Sequence, residues 1–169
     1  PQKSVPIDYF EKNSSNSDII VTELVEGTML NMYFDSEWRV ATRSNIGATN
    51  KFFTAASKNF KDMFMEAFTN SGLEFNMFSK NYSYSFVLQH PENRIVLQYD
   101  NPNIILTNVY KCSNMMIEEQ DIFSNTCEWI NNTNKKLIHL PQTIEGLNIL
   151  NGNFTINDCQ EQFNKSNID

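Results

Sequence analysis

The sequence predicts an α+β fold in which a mostly antiparallel sheet packs against one long amphipathic helix. Short runs rich in β-branched and aromatic residues are separated by turns that contain Pro, Asn or Gly. One longer segment instead spaces its apolar residues three and four positions apart, as on a helix face. The chain has 169 residues, of which 40% are hydrophobic. We therefore expect a single domain over residues 1–169, and the first residue, Pro1, leaves open that it is incomplete at both ends.

The first predicted elements are three β-rich runs. Ile19 to Val25 has the composition of a buried strand, and Gly27 interrupts the pattern. Thr28 to Phe34 and Trp38 to Thr42 follow as a hairpin, with Asp35-Ser36-Glu37 as its three-residue connection.

The predicted helix runs from Asn50 to Thr69. Thr49 or Asn50 is suited to cap its start, and Gly72 lies just past its end, where a left-handed residue is favoured. Its apolar face is expected to cover the sheet, as the faces of such helices normally do. That face consists of Phe52, Phe53, Ala56, Phe60, Met63, Phe64, Ala67 and Phe68.

The second half of the chain begins with strands. Tyr82 to Gln89 is a strand pattern, and Pro91-Glu92-Asn93 has the composition of a turn. Arg94 to Tyr99 is expected to return as a hairpin partner, and Ile104 to Tyr110 as a further strand. Weaker helical patterns follow at Glu118 to Asn131 and at Thr155 to Lys165.

Charge and composition exclude several classes of function. The net charge of -7 and a pI near 4.8 argue against non-specific nucleic-acid binding, which depends on neutralising phosphates, although a local basic patch stays open. Cys112, Cys127 and Cys159 form no paired motif, and His90 and His139 are the two histidines. This pattern predicts no metal site and fits reduced thiols in an intracellular compartment. No apolar run approaches about 18 residues, so no membrane association is expected.

Leu24-Val25-Glu26-Gly27 is the first motif with chemical content. In a strand, Leu24 and Glu26 would face the same side, and Gly27 would let the backbone turn or approach a ligand. The segment resembles the Lys-x-Asp-Gly motif of covalent nucleotidyltransferases, in particular the phage-type RNA ligases of the RNA ligase 1 family. In that family the lysine amine attacks the α-phosphate of ATP. Leu24 stands at the position of that lysine.

The second motif is Pro91-Glu92-Asn93-Arg94-Ile95-Val96, which resembles the family's Pro-x-Asn-Arg-Ile-Val segment. The family has a basic residue after the first motif, and Arg43 is the expected match, placed for phosphate. The family's ribose-binding glutamate, four residues before the proline, is replaced by Val87. His90 is an acid–base candidate, but its position in a turn favours a structural role.

The resemblance implies a nucleotidyltransferase (ATP-grasping ligase) fold, and the overall pattern is most similar to RNA-ligase-like proteins of large DNA viruses. It implies ATP and Mg²⁺ as cofactors, RNA as a partner, and a place in the host cytoplasm or the virion. It implies no catalytic residue, because Leu24 cannot act as the nucleophile, so a pseudoenzyme is expected. The alternative is a non-enzymatic, virion-associated or protein-interaction module that contacts other viral proteins. The nucleotide-binding residues implied are Glu26, Gly27, Arg43, Asn93 and Arg94.

Overall fold

The structure of the chain is a computed structural model, and it describes residues 20, 22–51, 58–113 and 116–143. The chain divides into two compact units. The larger unit, Leu24–Pro141, holds every helix and strand given below.

The smaller unit comprises Pro1–Glu23 and Gln142–Asp169. Its described residues meet in a short antiparallel contact. The N–H of Glu23 donates to the carbonyl of Gln142 at 3.0 Å, and the N–H of Gln142 donates to the Glu23 carboxylate at 3.0 Å.

The larger unit is built on a five-stranded sheet in which every neighbouring pair of strands is antiparallel. This confirms the predicted α+β class and the antiparallel character of the sheet. The strands are β1 (Thr28–Asp35), β2 (Glu37–Ala41), β3 (Tyr82–Gln89), β4 (Asn103–Ser113) and β5 (Met116–Gln120), in the spatial order β2-β1-β3-β4-β5. The described helices are α1 (Phe60–Asn70), a 3₁₀ helix (Phe75–Met77) and the short α2 (Asn132–Lys135).

One face of the sheet carries the hydrophobic core. Alternate residues of a strand face the same side, and here the alternate set is apolar. The rings of Phe64 on α1 and Phe86 on β3 meet edge to face with centroids 5.6 Å apart. Phe78 and Tyr84 meet in the same way at 5.0 Å. The strand residues buried on this face include Leu30, Met32, Tyr82, Tyr84, Phe86, Leu88, Ile104 and Leu106.

Helix α1 is shorter at its start than the sequence predicts. Asn59 caps it, because its side-chain oxygen accepts the N–H of Asp62 at 2.9 Å. Asn50 and Lys51 are not helical, so the predicted cap at Thr49 or Asn50 is wrong, and residues 52–57 lie outside the described residues. The predicted end is confirmed, since the helix stops at Asn70 and Gly72 has a positive φ of 72°.

The opposite face of the sheet is lined mainly by uncharged polar side chains. Ser85 donates from its hydroxyl to the side-chain oxygen of Asn31 at 2.7 Å. The amide nitrogen of Asn103 donates to the side-chain oxygen of Gln89 at 3.2 Å. Val87 lies between these pairs on β3 and is 5% exposed. This face carries the residues that flank the candidate site.

Two predicted strands are absent from the described residues, for different reasons. In Ile19 to Val25, the described residues form no strand beyond one isolated bridge at Thr22. Leu24 is 98% exposed, because no neighbouring strand pairs with this segment. Arg94 to Tyr99 is an irregular loop. It cannot pair with β3, because β1 and β4 already occupy both edges of that strand.

The predicted helix from Glu118 to Asn131 is also wrong. Met116–Gln120 instead pairs with the end of β4, because a strand edge is available there. The following residues cover the core as irregular chain, with Trp129 and Ile130 buried. The predicted helix from Thr155 to Lys165 lies outside the described residues.

Candidate functional site

Gly27 lies in direct contact with strand β3, immediately before β1 begins. Its φ of 145° is a conformation that residues with a side chain rarely adopt. A Cβ atom at this position would lie 2.5 Å from the carbonyl oxygen of Leu88 and 2.7 Å from Cγ1 of Val87. The close approach of the two backbones therefore requires glycine. It also sets the position of Glu26, the residue that precedes Gly27, relative to the end of β3.

Glu26 joins the start of β1 to the loop that follows β3. Its Oε1 accepts the N–H of Val96 at 3.1 Å, and its Oε2 accepts the hydroxyl of Tyr99 at 2.5 Å. Its backbone carbonyl accepts Nε2 of Gln89 at 3.1 Å. Hydrogen bonds to an ionised acceptor are about twice as strong as neutral ones. Glu26, together with Gln89, whose Nε2 also reaches the Tyr99 hydroxyl at 3.2 Å, thus holds the loop residues Val96 and Tyr99 against the end of the sheet.

Asn93 is the one predicted site residue that is fully buried, with 1% exposure. Its Nδ2 donates to Oγ1 of Thr28, the first residue of β1, at 2.8 Å. Its Oδ1 has no hydrogen-bond partner among the described residues. Asn93 therefore ties the turn after β3 to the side chain of Thr28, the residue that follows Gly27, and it keeps one unused acceptor there.

His90 is buried at the end of β3 and organises the turn that contains Asn93. Its Nδ1 accepts the N–H of Glu92 at 3.0 Å, and its carbonyl accepts the N–H of Asn93 at 2.9 Å. Its Nε2 lies 3.3 Å from Oε2 of Glu66 on α1. Because Nδ1 is an acceptor, the neutral ring carries its proton on Nε2, which donates to Glu66.

A charged cluster surrounds the outer side of His90. The ammonium of Lys58 lies 2.5 Å from Oε2 of Glu66 and 3.6 Å from Oε1 of Glu92. The hydrogen bond from Lys58, followed by the one from His90, lowers the pKa of Glu66. The same carboxylate raises the pKa of Lys58. The cluster joins the start of α1 to the turn after β3 through side chains.

The two arginines predicted to bind phosphate are both exposed. Arg94 follows Asn93 directly and so lies at the same end of the sheet. Arg43 lies in the loop after β2, and among the described residues it makes no ion pair and no hydrogen bond to the other predicted site residues. Neither arginine has an acidic partner in the part of the chain that the structure describes. Both remain open to an anion.

The structure therefore brings Glu26, Gly27 and Asn93 to one end of the sheet, with Arg94 next to Asn93 in the chain, and it does not bring Arg43 into contact with them. Leu24 lies on the segment that leads to this site, with its side chain in solvent. The contribution of Tyr99 and Gln89 was not predicted. Both contact Glu26 only after the chain folds back, so no local spacing in the sequence could have indicated the pairing.

Residues 20, 22–51, 58–113 and 116–143 contain no group of three His, Cys, Asp or Glu side chains arranged to hold a metal ion. None of the helices in these ranges has the length and apolar character needed to cross a membrane.

Comparison with known proteins gives an informative likeness. No protein-family model matches the chain. An RNA ligase of Rhodothermus phage RM378 is 29% identical over an alignment of 97 residues, which covers 53% of this chain and 22% of the phage protein. The chain therefore spans about a fifth of the length of the relative it matches. The likeness supports a distant, RNA-ligase-like relationship.

Proposed function

We propose that this chain is an RNA-ligase-like module that binds ATP and the ends of RNA at the Glu26–Asn93 site without forming a covalent adduct. The observation that carries the proposal is the convergence of Gly27 and Asn93, which come from two separate motifs, at one end of β1 and β3, with the exposed Arg94 next to Asn93 in the chain. The similarity to the phage RNA ligase supports the same reading. The proposal includes the nucleotidyltransferase fold and the likeness to proteins of large DNA viruses.

The absence of covalent chemistry follows from two aliphatic side chains. Leu24 has no amine with which to attack an α-phosphate, and loss of a covalent nucleophile normally costs many orders of magnitude in rate. Val87, at the position of the ribose-binding glutamate, is buried against Gly27 and has no hydrogen-bonding atom. Positioning contacts are separate from the attacking group, so binding can persist without the reaction.

Each remaining site residue has a distinct role in this proposal. Gly27 lets the chain before β1 pack directly against the backbone of β3, which sets the positions of Glu26 and Thr28 beside the site. The planar guanidinium of Arg94 is suited to a phosphate, which it can bind through two parallel hydrogen bonds. Arg43 would contact a phosphate farther along the ligand, because it lies on the separate loop after β2.

Mg²⁺ enters only as the ion that accompanies ATP, because it is usually bound by substrate phosphates with few protein ligands. Glu26 is the acidic group at the site, and each of its carboxylate oxygens already accepts a hydrogen bond. The site's unused side-chain oxygen is Oδ1 of Asn93, a single buried amide oxygen, whereas protein sites for Mg²⁺ normally supply one or two carboxylates. We therefore assign no protein ligand to Mg²⁺.

The first experiment separates binding from covalent reaction. The protein is incubated with α-labelled ATP and Mg²⁺, and the products are examined for an acid-labile protein–nucleotide adduct. We expect no adduct, while equilibrium dialysis shows bound ATP. A stoichiometric adduct on any lysine would overturn the non-covalent assignment.

The second experiment tests the site residues. Binding of ATP and of a 5′-phosphorylated RNA oligonucleotide is measured at low and moderate salt for Arg94→Ala. The matched control is Arg39→Ala, which removes a cation that already pairs with Asp35 and Glu37 on the distant hairpin. We expect Arg94→Ala to weaken both ligands and to reduce the salt dependence, since one phosphate contact is lost. Equal losses in both variants would contradict the placement of the site.

A second candidate function is a protein-interaction module, and one observation favours it. Apolar side chains are exposed on the two segments that Glu26 joins, with Leu24 at 98% and Val96 at 68%. Clustered exposed apolar groups mark interaction surfaces more often than scattered ones. Absence of binding to both ATP and RNA at low salt would favour this alternative.

A further inference from the structure

The two ends of the loop after β3 are joined by a side-chain hydrogen bond between Gln89 and Asn103, and the first turn of the loop is hydrogen-bonded to His90. Gln89 and Asn103, which flank it, are cross-strand partners with hydrogen-bonded side chains. Within the first turn, His90 accepts both available N–H groups, that of Glu92 through its ring and that of Asn93 through its carbonyl. The direction in which the chain leaves β3 therefore depends on the His90 side chain.

The ring of His90 is held from its other side as well. It is 2% exposed, and its Nε2 donates to Glu66, which Lys58 also contacts. A buried ring with both nitrogens hydrogen-bonded has a fixed tautomer and orientation. Glu66, Lys58 and Glu92 are the charged groups recorded around it. Helix α1 thus holds the His90 ring through Glu66, and the ring in turn holds the backbone of the turn through the N–H of Glu92.

The turn delivers Asn93 to the first residue of β1. The Asn93 amide reaches Thr28, next to the glycine whose backbone lies against Leu88. Loss of the bond between the His90 ring and the N–H of Glu92 would leave the turn held by the Asn93–His90 carbonyl bond and by the contacts of Lys58 with Glu92, and we expect the Asn93 amide to shift. Asn93 is buried, so a small displacement changes a well-defined contact.

We propose that His90 is a positioning residue of the binding site: its Nδ1 fixes the turn that places Asn93 beside Gly27 and Thr28, and so sets the affinity for the nucleotide. The affinity part rests on the proposed function. The placement of Asn93 does not, and it is measured separately.

Two substitutions of His90 separate its two side-chain hydrogen bonds, because each variant retains one bond and loses the other. His90→Asn keeps a hydrogen-bond acceptor at the δ position, where it can still accept the N–H of Glu92, as asparagine does in turns. It loses the reach to Glu66. His90→Gln keeps a nitrogen at the ε position, which can reach Glu66, and loses the δ acceptor. Both replace a buried ring by a smaller amide, so each serves as the other's control for lost packing.

Binding of ATP is measured for the two variants, for Asn93→Ala, and for the double variant His90→Gln with Asn93→Ala. We expect His90→Asn to stay within about twofold of the wild type. We expect His90→Gln to weaken binding about tenfold, which corresponds to about 1.4 kcal/mol. The double variant should be no weaker than Asn93→Ala alone, because His90 acts through Asn93. Additive losses, or equal losses in the two His90 variants, would overturn the proposal.

The placement of Asn93 is followed without any ligand by ¹⁵N NMR of the full chain. The Asn93 side-chain amide signal and the exchange protection of the Glu92 N–H should be retained in His90→Asn and lost in His90→Gln. A role limited to filling space would change both variants alike, and unchanged signals in His90→Gln would overturn the positioning role. Wild-type protein that binds no nucleotide would overturn the proposed function, and these NMR signals would then decide the role of His90 by themselves.

Discussion

Replacing Gly27 by alanine tests the close approach of β1 and β3 on which the site depends. Two costs are expected. The positive φ of 145° is unfavourable for alanine, by about 1–3 kcal/mol. The new methyl group would also lie 2.5 Å from a backbone oxygen that belongs to a central strand and cannot easily move. Overpacking of this kind costs about 1–3 kcal/mol. The two costs add to about 2–6 kcal/mol, and we take about 3 kcal/mol as the expected loss in the free energy of unfolding.

Gly72→Ala is the matched control. Gly72 also has a positive φ, of 72°, but a Cβ atom there would meet nothing within 4 Å. Only the backbone cost applies, about 1 kcal/mol. Any gain from reducing the freedom of the unfolded chain is the same for both substitutions and cancels in the comparison.

The assay is equilibrium unfolding in urea, followed by the fluorescence of the buried Trp129. With a slope of about 2 kcal/mol per molar urea, the midpoint of Gly27→Ala should fall about 1 M below that of Gly72→Ala. Equal midpoints would show that the backbone of Gly27 does not lie against Leu88, and the geometry of the site would then be wrong.

Three further predictions concern single side chains. Leu24→Lys should form no adduct with α-labelled ATP at pH 7. Position 24 is 98% exposed, so the new amine would lie in water, where a pKa of about 10.4 keeps it protonated and unable to attack. A labelled protein band that the wild type lacks would contradict this placement of residue 24. Lys58→Met should raise the pKa of Glu66, followed by ¹³C NMR of the carboxyl carbon. In the wild type, the pKa of Glu66 is lower in the folded chain than in the unfolded chain, so its carboxylate stabilises the fold at pH values above the unfolded pKa. This stabilisation is lost as the pH falls through the folded pKa. The variant should therefore lose less stability between about pH 5 and 3. An unchanged Glu66 titration would exclude the ion pair in solution. Burial raises the pKa of Tyr84, so the contribution of Tyr84 to stability is present below the ordinary pKa near 10 and is lost as the pH rises above it. Tyr84→Phe should be less stable than the wild type at pH 7 by about 1–3 kcal/mol, because a buried hydrogen bond is lost, and it should lose less stability between pH 7 and pH 11. Parallel alkaline unfolding curves for the two proteins would contradict this.

The sequence predicted the central elements well where the signal was local. Tyr82–Gln89 alternates between core and open face, and the structure has a strand with the same bounds. The hairpin and the end of the helix near Gly72 were also predicted, because turn and cap residues act within a few positions. The predicted three-residue connection of the hairpin was too long, since Asp35 and Glu37 pair with each other and Ser36 alone joins the strands. The irregular loop from Arg94 to Tyr99 was not predicted, because a strand there would have needed a free edge of β3, and β1 and β4 occupy both edges.

The candidate site shows the same division. Gly27 and Asn93 stand out in the sequence, because their residue types suit backbone approach and turns. Their neighbours do not: Tyr99 reaches Glu26, and Glu66 reaches His90, only in the folded chain. A histidine in a turn gives no sign in the sequence of which ring nitrogen will be an acceptor.

The sequence alone predicted an antiparallel sheet with a helix on one face, and the resemblance of the Leu24 motif to that of the ligases predicted an aliphatic residue at the position of their lysine. Both are properties of residue type and local spacing. Only the tertiary structure decided that Leu24 lies in solvent, that Glu26 holds the following loop, and that His90 supports Asn93. These outcomes depend on which strand edges are already paired and on which side chains meet across the fold, and sequence spacing carries no information about either.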